Sequence, residues 1–104
     1  MEEAAKDRLV RWLERRAFAP VLRADPKSYS EDKRDKLKRV QDKTRTERAR
    51  FRRYDSAHDV VVNFRRDLDS APARKVHRDL EDLGLPTLNA LKDEFDRLAD
   101  SVGA

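Results

Sequence analysis

A chain of 104 residues has room for one small domain, and 44 % of it is Asp, Glu, Lys or Arg. Cysteine is absent, which excludes a disulfide framework, thiolate metal sites and a thiol nucleophile. The net charge of +4 is spread unevenly: residues 33–54 carry 11 basic and 3 acidic groups, residues 79–104 carry 2 and 7.

Leu, Val and Phe number 11, 8 and 4, and Ile is missing. That apolar content lies just above the level at which disorder becomes the default, so folding depends on where these residues stand. Arg outnumbers Lys 17 to 8 and Asp outnumbers Glu 14 to 7, a bias expected of a GC-rich bacterial genome. No apolar run nears the roughly 20 residues of a membrane span, and "MEEAAKDRLVRW" lacks a signal-peptide core. A cytoplasmic protein that does not engage a membrane is the expectation.

Glycine occurs at 84 and 103 and proline at 20, 26, 72 and 86, which leaves long stretches without a breaker. The first such stretch predicts a helix over 3–17, with Ala5, Leu9, Leu13 and Ala17 stepping by four. "FAPVLRADPKSYS" (18–30) reads as a connection that tucks Phe18, Val21 and Leu22 onto the core. Ser30 is the expected N-cap of a second helix over 31–54, with Glu31 and Asp32 suited to its positive end. Its seam is Leu37, Val40, Thr44, Phe51 and Tyr54.

Ser56-Ala57-His58-Asp59 has the form of a capping box and opens a third helix over 57–68. "VVVNF" is β-branched enough for a strand, but the cap and the 60/64/68 spacing favour helix. Ser70 caps a fourth helix over 71–83, with Pro72 in its first turn and a Schellman stop at Gly84-Leu85-Pro86. Thr87 caps a fifth over 88–102, along Leu88, Leu91, Phe95, Leu98 and Val102. The fold class is therefore all-α: a single domain of about five helices in an orthogonal or bundle-like array, with no sheet.

Catalytic constellations are thin. His77-Arg78-Asp79-Leu80 spells the start of a kinase catalytic loop, but Gly84 stands where the metal-binding Asn belongs. The plainer reading is a surface helix with Leu80 inward and His77, Arg78 and Asp79 in water. His58 and His77 lie on different predicted helices, and neither has a metal-ligating partner at i+4. Glu81/Asp82, Asp93/Glu94 and Asp96/Asp100 lack the Glu-x-x-His pattern of a di-metal bundle. Ser70 and Lys75 do not form a dyad at helical spacing. Two separated glycines cannot supply a phosphate-binding loop. The expectation is a protein without enzymatic activity, metal or small-molecule cofactor.

Binding remains. Helices four and five, joined by "GLPT", could form a helix-turn-helix, but the would-be recognition helix is net acidic and would repel phosphate. The second helix is the stronger candidate. On a helical wheel Arg34, Lys38, Arg45, Arg48 and Arg52 follow one flank of the seam, and Lys36, Arg39, Lys43 and Arg50 the other. Long basic side chains beside a seam often lay their stems over apolar neighbours and put their charge in water. The leading expectation is a small binding or adaptor module that engages a protein partner or itself. The alternative is binding of a DNA or RNA backbone through helix 31–54. The acidic helices after residue 79 could mask one basic flank.

Overall fold

The computed structural model describes residues 2–103. Helix α1 (Glu2–Leu13) passes into a π-helical turn (Glu14–Phe18) and then a last α turn, α2 (Ala19–Leu22). The first helix thus continues through Pro20 instead of ending at Ala17. An α-helical Pro20 would press its ring on the carbonyl four residues back. The π turn widens the backbone just ahead of it, and Ala19 N–H reaches Glu14 O, five residues back. Phe18 and Val21, expected in a connecting loop, are buried helical residues.

The connection is confined to 23–30 and contains a 3₁₀ turn (Pro26–Ser28) capped by Asp25, whose Oδ1 accepts from Lys27 N–H at 3.0 Å. Then come α3 (Glu31–Arg53), α4 (Ala57–Asp69), α5 (Ala71–Asp82) and α6 (Leu88–Ser101). The fold is all-α, with no strand among the described residues.

Local chemistry accounts for most helix ends. Ser56, Ser70 and Thr87 each accept a backbone N–H three residues on, at 3.1, 3.2 and 3.1 Å. Ser30 holds the N-cap position of α3, but its hydroxyl makes no cap bond; its carbonyl takes the N–H groups of Lys33 and Arg34. Gly84, at φ +69°, ends α5 in a Schellman motif. Leu85 N–H returns to Leu80 O at 2.9 Å and Gly84 N–H to Glu81 O at 3.0 Å.

Two apolar clusters divide the interior. The larger joins Leu9, Trp12, Leu13 and Phe18 of the first helix, Phe51 of α3, Val60, Phe64 and Leu68 of α4, and Leu91, Phe95 and Ala99 of α6. Phe64 and Phe95 stack at its centre, ring centroids 3.8 Å apart. The smaller joins Val21, Leu37, Val40, Leu80 and Leu83, with Tyr29 and Leu85 packed on it. Helix α3 is about 35 Å long at 1.5 Å per residue, and it runs from the small cluster to the large one. The molecule is elongated to match, 47 × 23 × 20 Å.

Polar bonds close the small cluster. Gln41, buried on α3, donates through Nε2 to Val21 O at 3.1 Å and Ala24 O at 3.0 Å, which satisfies carbonyls at the end of the first helix. Tyr29 Oη donates to Leu83 O at 2.7 Å. Between the clusters lies a cavity of about 100 Å³, with Thr44 and His77 in its lining.

Candidate basic groove

The five basic residues singled out on α3 have different circumstances. Arg34 donates through Nε to Pro26 O at 3.1 Å and Tyr29 O at 3.2 Å, which pins the 23–30 connection to α3. Arg45 pairs with Asp42, one turn back, at 2.8 Å. Arg52 pairs with Glu14 of the π turn, and that bond holds the guanidinium above its ordinary basicity. Lys38 is exposed and Arg48 half-buried, and neither has an ion-pair partner among the described residues.

Arg48 has company that α3 alone does not reveal. Together with Arg11, Arg15 and Arg23 of the first helix it lines a groove of about 480 Å³ between that helix and α3. None of these four guanidiniums has an ion-pair partner among the described residues. The acidic member of the lining, Glu14, is taken by Arg52. Phe18, Ala19 and Leu22 form an apolar floor. Balanced charge over residues 1–32 conceals the contribution of the first helix, although Arg11 and Arg15 stand at i,i+4. Arg23 reaches the groove because the helix continues through Pro20.

The opposite flank of α3 is neutralised within the fold. Lys36 Nζ lies 2.8 Å from Asp82 and 4.0 Å from Asp79 on α5, and Lys33 Nζ donates to Asp82 O at 3.1 Å. The hydrogen bond from Lys36 holds the Asp82 carboxyl below its ordinary range. Arg50 pairs with Glu47 and with Asp67 of α4, and lies over the Phe51 and Tyr54 rings at 5.1 and 5.9 Å. Burial alone would weaken its basicity, but the bonds to Asp67 and Glu47 outweigh that and raise it.

Acidic α6 turns elsewhere. Glu94 pairs with Arg16 at 2.9 Å, and Asp96 with Lys92 at 3.1 Å and Arg65 at 3.4 Å. Arg16 lowers the Glu94 carboxyl, and Lys92 first and then Arg65 lower that of Asp96. Acidic groups of α5 and α4 therefore mask the Lys36/Arg50 flank, and those of α6 are paired away from the arginine groove.

The histidines part company. His58 is exposed on α4. His77, expected in water, is buried at 5 % exposure, and Asn89 of α6 donates to its Nδ1 at 2.8 Å. Burial lowers its basicity, and Glu81 offsets part of that. The change of place comes from the Gly84 turn, which folds α6 back so that Asn89 meets α5. Glu47 and Asp67 line the same cavity as His77, but no hydrogen bond joins them to it. Nowhere among the described residues do three metal-ligating side chains converge, and no helix there is long and apolar enough to cross a membrane.

The chain matches no protein-family model, no curated protein and no solved structure.

Proposed function

We propose that the protein is a non-catalytic adaptor whose groove between the first helix and α3 takes an acidic segment of a protein partner. One observation carries this reading: four guanidiniums without ion-pair partners, Arg11, Arg15, Arg23 and Arg48, rim a floor made by Phe18, Ala19 and Leu22. Guanidinium forks pair with carboxylates in bidentate fashion, and an apolar floor accommodates an aliphatic side chain between them. Self-association through an apolar seam has less support. The seam of α3 is consumed in the two cores, and Val62 is the one exposed large hydrophobic among the described residues.

A second reading rests on the outer side of α3. Lys38, Arg39, Arg45 and Arg53 are exposed along it, over about 22 Å at 1.5 Å per residue. Such a row fits a nucleic-acid backbone, although Asp35 and Asp42 interrupt it.

Fluorescence anisotropy with two labelled probes tests the assignment: an Asp/Glu-rich peptide containing leucines, and a random DNA duplex. The peptide is expected to bind the wild type, and Arg15→Gln/Arg48→Gln to weaken it by about tenfold or more. Duplex binding that survives this double change and falls steeply with salt would replace the first reading with the second. Binding of neither probe at low ionic strength would remove both.

A further inference from the structure

We propose that the cavity between the two apolar clusters binds a compact, uncharged molecule with an apolar body and one hydroxyl or carbonyl oxygen. This site is separate from the arginine groove and does not rest on the groove's occupant.

The cavity lies where α3, α4 and α5 meet the end of the first helix. Phe18, Val21, Val76 and Leu80 give it apolar walls, and Thr44 and His77 give it polar points. Its volume of about 100 Å³ is of the order of cavities that admit a benzene-sized guest, roughly 150 Å³ in the known engineered case. It suits a guest of roughly five to seven non-hydrogen atoms.

Both polar points are unspent. Thr44 is 6 % exposed and His77 5 % exposed. Asn89 donates to His77 Nδ1, so the neutral ring carries its proton on Nε2. Neither that Nε2–H nor the Thr44 hydroxyl has a hydrogen-bond partner among the described residues. Yet neither is sealed off, since Arg50 Nε is the fully enclosed side-chain atom without one. A buried donor left unmatched is costly, and a guest oxygen would accept from His77 while meeting the Thr44 hydroxyl.

Charge sets the guest's class. Glu47 and Asp67 border the cavity, but Arg50 pairs with both and Lys43 also meets Glu47, at 3.5 Å. With those charges compensated and His77 neutral, the site has no net charge to attract an ion. Burial of the imidazole supports the neutral form.

Phenol and benzene form a matched pair of probes, followed by amide and imidazole NMR at pH 7.5. Phenol is expected to shift Thr44, Ala73, Val76 and His77 in a saturable way, with Kd of about 1 mM for seven heavy atoms. Benzene should bind about tenfold more weakly, the loss of one hydrogen bond. Thr44→Val keeps the shape and should narrow the phenol preference by severalfold; Ala73→Leu should fill the space and abolish both. A thermal melt of each variant separates lost binding from lost fold. Equal affinity for both probes, shifts confined to other surfaces, or no shift up to the solubility limit, as when water alone occupies the site, would each overturn the proposal.

Discussion

Arg50 of α3 and Asp67 of α4 are ion-paired across the helix interface, and the same guanidinium holds Glu47 on its own helix. The cluster is partly buried, with Arg50 31 % exposed and both carboxylates 21 %. It fixes the angle at which α4 leaves the short Tyr54–Ser56 link. Asp67→Asn should destabilise the fold by about 1–2 kcal/mol, between the limits for exposed and buried pairs. Urea denaturation measures this, and a double-mutant cycle with Glu47→Gln should show the two carboxylates to be coupled.

His77 gives stability a pH dependence. Its basicity is lowered in the folded state by burial, so the folded protein binds the proton less tightly than the unfolded chain does. Stability from this group is complete above its ordinary pKa of 6.5 and declines as pH falls through that value toward the lower folded one. Glu81 opposes the shift, and Asn89 on α6 occupies Nδ1. The melting temperature should drop between pH 7.5 and 5.5, and His77→Gln should flatten that slope. The ion-paired carboxyls of Asp82, Glu94 and Asp96, all held low, give a second loss at more acidic pH.

Gly84 isolates a backbone term. At φ +69° a Cβ would meet no atom within 4 Å, so substitution costs conformational strain without a clash. Gly84→Ala should cost about 1–2 kcal/mol and Gly84→Asn less, because Asn tolerates left-handed backbone. Chemical denaturation of the two variants gives the ranking.

Gln41 is the polar keystone of the small cluster. Gln41→Leu leaves the carbonyls of Val21 and Ala24 without their donor and should cost about 1–3 kcal/mol. Hydrogen exchange should show the loss first in the amides of α2 and the 23–30 connection. Arg48→Gln, on an exposed rim, should change stability by less than about 0.5 kcal/mol.

Much of the fold is readable from local chemistry. The 60/64/68 spacing and the caps at Ser56, Ser70 and Thr87 mark helices, and Gly84-Leu85-Pro86 marks a stop. What escapes the sequence depends on tertiary arrangement. Pro20 reads as a breaker because the π turn that accommodates it has no local signature. His77 reads as wet because Asn89 arrives only after a reversal of the chain. Arg48 is visible, but its partners Arg11, Arg15 and Arg23 lie in a segment whose charges cancel on paper.

The π turn has a consequence for how this chain tolerates length change. In uninterrupted α-helix, at about 100° per residue, Phe18 would sit about 180° around from Leu9. The turn absorbs one residue and rotates Phe18 and Val21 back to the side on which Leu9 and Leu13 lie. It therefore works as a phase joint between two cores that need different helical registers. Removing one residue between 14 and 18 would tighten the joint and swing everything after it by a quarter turn or more relative to α1. The Gln41 bonds and the Arg23 rim of the groove would both lose their place. A deletion in the 23–30 connection would be taken up by the loop and leave both registers as they are.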